Sequence, residues 1–197
     1  LVRGDARDPP WIYTWRGKPL DGSRNAHRRL RRLKKEKTMG CDIHAYIEFK
    51  RKGRDHWRSF GGRINPGRNY FLFGRLADGV RGDGPALVPT RGMPSDVGSY
   101  ARDDGFLFIT EDGQGNDCCT LENARRWEPS KEWKLHDFVP HPDWHSHSWA
   151  TAKEWEDAIK PCMEGQHQEP QYVAILAAMQ SLEKSGSEVR IVYWFDN

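Results

Sequence analysis

The sequence lacks the motifs that would identify a common enzyme class directly. It has no phosphate-binding P-loop, no dinucleotide-binding glycine motif and no serine nucleophile elbow. Its longest apolar run is far shorter than the ~20 residues that a membrane-spanning helix needs, and its first residues show no signal-peptide pattern. We therefore expect a cytoplasmic globular protein with no membrane partner.

Cysteine is scarce, and its spacing gives no disulfide framework. The four cysteines are Cys41, Cys118, Cys119 and Cys162. They form no pattern of pairs, and neighbouring cysteines rarely bridge each other without strain. The spacing predicts four reduced thiols. It also makes a zinc knuckle at Cys118 and Cys119 improbable, because no second pair has the right spacing.

The protein has a formal net charge of +3, but most of the chain has no excess of basic residues. Residues 1–38 contain 12 Lys and Arg but only 4 Asp and Glu. We interpret this basic leader as disordered, with two alternatives for its role. Either it contacts nucleic acid nonspecifically through phosphates, or it lies upstream of a true start at Met39.

Residues 39–197 are expected to form a single α+β domain: a small antiparallel or mixed sheet with two to four helices and long loops. Apolar residues alternate with polar ones from Asp42 to Phe49, which predicts a strand. A helix is expected over 69–77 with Asn69 as its N-cap, and a capping box predicts another that begins after Thr151. Residues 80–105, rich in glycine and proline, are expected to form a long loop.

Two pairs of potential metal ligands have the same spacing. Asp42 and His44 lie two residues apart on the predicted first strand, so their side chains would share one face. His145 and His147 repeat this spacing. Carboxylate and imidazole groups bind Zn, Mn and Fe. We therefore predict that these four residues hold a divalent metal ion if the fold brings them together, while surface or capping roles remain the alternative.

Two further residues are candidates for catalysis beside that site. Asp143 would act as a base or orient a metal ligand. Arg91 would neutralise charge on a substrate phosphate or carboxylate through bidentate hydrogen bonds. For each arginine or aspartate in a loop, simple solvation is the competing interpretation. Cys41 is expected to pack in the core, since strand alternation directs it away from Asp42.

The chain resembles a group of small, uncharacterised phage and prophage proteins that open with Met-Gly-Cys-Asp-Ile-His. The resemblance rests on several short segments, which here are 39–44, 69–73, 91–94, 145–149 and the terminal Phe195-Asp196-Asn197. It implies a phage or mobile-element context, supports Met39 as the start and implies no particular activity. Asp42-Ile43-His44 also resembles the first motif of calcineurin-like metallophosphoesterases, whose middle motifs this chain lacks.

Three functions are compatible with these patterns. The first is a metal-dependent hydrolase that acts on a phosphodiester or nucleotide, in which case His145→Ala should lose the metal. The second is a non-catalytic binding module that sequesters a host protein or a nucleotide. The third is a structural metal site, whose closed ligand shell would only stabilise the fold.

Overall fold

The computed structural model describes residues 40–81, 85–164 and 169–196. The basic leader predicted for residues 1–38 lies outside this part of the chain, as does Met39. Residues Gly40–Asn197 form a compact unit of their own. Its described parts contain five helices and two sheets, which confirms the predicted α+β class.

The helices and strands of the described residues have the following bounds. The strands are β1 (Asp42–Arg51), β2 (Arg58–Ser59), β3 (Phe106–Thr110), β4 (Cys118–Thr120), β5 (Phe138–Pro140), β6 (His145–Ala150) and β7 (Ser187–Asp196). The helices are α1 (Tyr70–Leu76), α2 (Ser99–Gly105), α3 (Leu121–Trp127), α4 (Ala152–Met163) and α5 (Pro170–Lys184).

The main sheet is antiparallel and has the strand order β2-β1-β7-β6. Its two central strands pair over their full length, from Asp42 opposite Asp196 to Arg51 opposite Ser187. The second sheet has the order β4-β3-β5 and is mixed, because β3 runs parallel to β4 and antiparallel to β5. The first and last strands of the domain therefore lie side by side.

Both faces of the main sheet are covered. One face packs on α1, α4 and α5 around the fully buried Phe73, Trp155 and Met179. The opposite face packs on α2, and Val192 and Trp194 contribute to a smaller cluster there. Strand β1 is consequently buried on both faces. The face that the sequence marks as polar holds His44, Tyr46 and Glu48 under cover rather than in solvent.

Local sequence signals account for several helix starts. Asn69 accepts a hydrogen bond from the backbone N–H of Leu72 at the start of α1, and Thr151 and Glu154 form the predicted capping box of α4. The predicted loop over 80–105 is only partly correct, because it contains α2. The four cysteines are free, as predicted, and Cys41 is buried in the core.

No helix within residues 40–81, 85–164 and 169–196 has the length and apolar character needed to cross a membrane.

Candidate functional site

A buried histidine between two carboxylates lies at the end of the main sheet where β1 begins and β7 ends. His44 is 3% exposed. Its Nδ1 lies 3.2 Å from Oδ2 of Asp104, and its Nε2 lies 3.1 Å from Oδ2 of Asp196. Both carboxylates are partly exposed. We call His44, Tyr46, Asp104 and Asp196 the His44 cluster.

The members of the His44 cluster hold one another in place. The hydroxyl of Tyr46 donates a hydrogen bond to Oδ2 of Asp104 at 2.9 Å, and the backbone N–H of Asp42 donates to Oδ1 of Asp196 at 2.9 Å. The hydrogen bond from His44 lowers the pKa of Asp104, whereas burial raises the pKa of Tyr46. Asp104 is therefore an ionised acceptor and Tyr46 a neutral donor near pH 7.

Both ring nitrogens of His44 face hydrogen-bond acceptors. A neutral imidazole donates at one nitrogen and accepts at the other. A carboxylate oxygen faces each nitrogen, so each contact suits an N–H donor on that side of the ring. A neutral ring would instead place one lone pair against a carboxylate. The ring also packs between Trp144 and Trp194, with centroid distances of 4.5 and 5.5 Å.

The side chain of Asp42 is engaged by an arginine beside the cluster. Nε and Nη2 of Arg68 donate to its two carboxylate oxygens at 2.8 and 2.6 Å, and this bidentate pair lowers the pKa of Asp42. Gly40 leaves room for the pair, since a Cβ atom there would lie 2.7 Å from Nη1 of Arg68. Both partners are about half exposed, so the pair can exchange with other ligands at modest cost.

His145 and His147 do not share the simple strand face on which the predicted four-ligand site depends. A β-bulge interrupts β6 between His145 and Ser148, and Ser146 has a φ of 53°. His145 stacks on Phe195, which belongs to the helix-covered core, whereas His147 stacks on Trp194 on the other face. Because β7 lies between β1 and β6, Trp194 separates His147 from His44.

His147 is held in its neutral form. Burial lowers the pKa of His147 to about 4, and His145 contributes to the lowering. Together with His141, these two histidines line a cleft of about 400 Å³. Among the described residues, however, no group of three or more His, Cys, Asp or Glu side chains is arranged to hold a metal ion.

The two residues predicted to be catalytic have other surroundings. Arg91 forms a bidentate ion pair with Glu154, donates to the backbone oxygen of Trp149 at 2.7 Å and lies over the Trp149 ring. The carboxylate of Asp143 is 82% exposed, and His141 Nδ1 lies 4.0 Å from it. These contacts give Arg91 a role in joining a loop to α4, and they lend no support to catalysis by Asp143.

Asp104 was not among the residues predicted from the sequence, and Asp196 appeared there only within the terminal segment Phe195-Asp196-Asn197. Asp104 belongs to α2, which lies in the stretch predicted to be a loop, so no periodic signal marked it. Asp196 carried a usable signal, because a carboxylate directly after a Val/Ile/aromatic strand lies at the strand's end. Pairing of that strand with β1 places it beside His44.

Comparison with known proteins adds no relative to this description: no protein-family model, no curated protein and no solved structure matches the chain.

Proposed function

We propose that the protein is a metal-dependent hydrolase of phosphodiesters or nucleotides, with its metal ion at the His44 cluster. The supporting observation is the separation of 3.1 Å between His44 Nε2 and Asp196 Oδ2. Ligand atoms at about 2.0–2.2 Å from one ion, at tetrahedral or octahedral angles, are about 3.0–3.5 Å apart. The pair therefore matches two neighbouring ligands of one divalent ion as well as a direct hydrogen bond.

The remaining parts of the cluster fit the outer shell of such a site. Metal-binding histidines usually donate their second N–H to a carboxylate, which fixes the ring and its tautomer. Asp104 occupies this position at Nδ1 of His44 and is itself held by Tyr46. Asp42 would supply a third ligand by leaving Arg68. Metal binding would displace the proton from His44 Nε2, so affinity should rise with pH.

Exposed arginines beside the cluster suit a phosphate substrate. Arg68 would exchange Asp42 for a phosphate oxygen when the metal binds. Arg63 is also exposed and acts electrostatically on Asp42 and Asp104. The bound ion would lower the pKa of a water molecule and so generate the nucleophile. We also propose that the protein is a phage or prophage accessory protein. It would act in the cytoplasm, which is the host cell's cytoplasm if a phage encodes it.

Elemental analysis tests the metal site. We expect purified protein to carry Zn, Mn or Fe near one equivalent, and Asp196→Asn to lose most of it because one ligand becomes a weak neutral one. Asp143→Asn is the matched control, since its carboxylate is exposed outside the cluster. Hydrolysis of bis(p-nitrophenyl) phosphate should follow metal content. Thermal unfolding of each variant separates loss of metal from loss of fold.

Two results would contradict the proposed ligands. Loss of metal in His145→Ala but not in Asp196→Asn would place the ion at the second histidine pair. A protein that contains no metal and takes up none would make the His44 cluster a structural ion pair. The non-catalytic binding module is favoured in that case, because His44 and Asp42 already have charged partners at every polar atom facing the cluster.

A further inference from the structure

A second cleft, of about 770 Å³, lies between the main sheet and the three-stranded sheet. Its lining includes Met93, Arg102, Phe106, Lys131, Trp133 and Phe138. The volume falls within the roughly 300–1,000 Å³ of typical small-molecule sites. None of the His44 cluster residues lines this cleft, so its ligand does not depend on the proposed metal.

Two cations of the cleft are positioned by aromatic rings. The guanidinium carbon of Arg102 lies 4.7 Å from the centroid of Phe138, and Nζ of Lys131 lies 5.5 Å from that of Trp133. Both distances are within the range of cation–π attraction. A ring beneath the charge holds it in place while its N–H groups remain free to donate. Nε of Arg102 lies 3.5 Å from Oδ1 of Asp103. This ion pair is weak, because the Asp103 side chain is 66% exposed.

The charge balance of the cleft favours an anion. Arg91, Arg102 and Lys131 line it, whereas Glu128 is its one acidic lining residue. Arg91 is neutralised by Glu154 from outside the lining. Arg102 and Lys131 therefore leave a positive surplus over Glu128, and a phosphate or carboxylate would gain charge-assisted hydrogen bonds there.

Part of the remaining lining is apolar. Phe106 belongs to β3 and Phe138 to the neighbouring strand β5. Trp133 is 8% exposed, and its indole N–H donates to the backbone oxygen of Glu128 at 3.0 Å. Met93 adds a flexible apolar side chain. Flat apolar surfaces of this kind suit a planar aromatic group.

We propose that this cleft binds a nucleoside monophosphate, with the base against Met93 and Phe106 and the phosphate held by Arg102 and Lys131. A purely apolar ligand would form no charge-assisted hydrogen bond with the two cations, and a free phosphate would not use the apolar surface. The two halves of the lining together select a ligand that joins an aromatic ring to an anion.

Titration calorimetry with AMP, adenosine and inorganic phosphate tests the proposal, in EDTA so that no metal takes part. We expect AMP to bind at least about tenfold more tightly than either part alone. Lys131→Gln should weaken AMP binding by about tenfold or more, as loss of one hydrogen bond to a charged group predicts. Lys134→Gln is the matched control, an exposed lysine three residues away that does not line the cleft. Arg102→Gln should weaken binding similarly.

The proposal is overturned if AMP fails to bind at millimolar concentration, or if Lys131→Gln and Lys134→Gln behave alike. Equal affinity for AMP and adenosine would contradict phosphate binding by Arg102 and Lys131. Equal affinity for AMP and phosphate would contradict binding of the base. A single-stranded oligonucleotide that binds without competition from AMP would also overturn it. Asp196→Asn should bind AMP with the affinity of the wild type, because Asp196 does not line the cleft. The cleft proposal can therefore hold even if the metal proposal fails.

Discussion

At the scale of single residues, the most demanding feature is a buried ion pair in the middle of β1 and β7. Glu48 is fully buried, and burial raises the pKa of its carboxyl. Nε of Arg190 donates to Oε2 of Glu48 at 2.9 Å, and the backbone N–H of Gly98 donates to Oε1 at 2.8 Å. The ring of Trp57 lies 3.9 Å from the guanidinium carbon. Glu48 therefore depends on Arg190 for its counter-charge, whereas Arg190 also donates to Oδ1 of the partly exposed Asp96 at 2.9 Å.

Replacing only one partner should be costly. We predict that Arg190→Met lowers the free energy of unfolding by about 3–5 kcal/mol, because it leaves Glu48 buried without its counter-ion. The double variant with Glu48→Gln should recover a large part of this loss. Lys50→Met is the control. Lys50 forms an ion pair with the exposed Glu188 directly opposite it, two register positions from Glu48 and Arg190, so this variant should cost less than about 1 kcal/mol.

Urea unfolding of the four proteins at pH 7 measures these differences. Equal destabilisation by Arg190→Met and Lys50→Met would show that the buried pair is no more important than an exposed one. Failure of the double variant to recover stability would mean that the loss arises from the contacts of Arg190 with Trp57 and Asp96 rather than from the uncompensated carboxylate.

At the scale of secondary structure, the start of α4 combines several interactions on one carboxylate. Oε2 of Glu154 accepts from the backbone N–H of Thr151 at 2.9 Å, and Arg91 forms its ion pair with the same side chain. The pKa of Glu154 is lowered to about 2, and the hydrogen bonds from Arg91 are the largest cause. One side chain thus caps the helix and fastens the loop that carries Arg91.

This shift in pKa predicts how stability changes with acidity. A carboxyl whose pKa is lower in the folded state stabilises the protein above its unfolded pKa of 4.5, and the contribution is lost as the pH falls from there towards 2. We predict that Glu154→Gln costs about 1–2 kcal/mol at pH 7, after allowing for partial exposure. The difference between wild type and variant should then shrink steadily from pH 4.5 to pH 2.

Chemical denaturation at several pH values tests this, with Glu156→Gln as control. Glu156 lies on the same helix and is about half exposed, 3.9 Å from Lys153. A wild-type-to-variant difference that stays constant between pH 4.5 and 2 would contradict the assignment, as would an equal effect of the two glutamine variants.

The same scale shows what the sequence could predict. Caps at Asn69 and Thr151 and the apolar alternation in β1 are local signals, and they correctly located α1, α4 and β1. Helix α2 has no side-chain cap and buries only Ala101 and Gly105, so its formation depends on packing against the sheet. Asp104, which orients His44, was invisible for that reason. The bulge at Ser146 was equally hidden, because serine rarely adopts a positive φ.

At the scale of the whole molecule, the His44 cluster depends on closure of the chain. His44 comes from the first strand of the domain, Asp104 from α2 and Asp196 from the last strand. Strand β7 supplies the central partner for both β1 and β6. Contacts this distant in sequence make folding slow compared with helical proteins. They also mean that the candidate site cannot form before β7 has paired with β1.

Two truncations test this dependence. A protein that begins at Met39 should unfold within about 2 °C of the full chain, because Gly40–Asn197 forms a compact unit by itself. It should also lose any nonspecific affinity for DNA, since the excess of basic residues lies in 1–38.

A protein that ends at Gly186 lacks β7 and should not fold cooperatively. Circular dichroism melting and DNA binding at low salt provide the measurements. Cooperative unfolding of the protein without β7 would refute the dependence of the domain on its last strand, and a large loss of stability on removing 1–38 would show that the domain needs the leader.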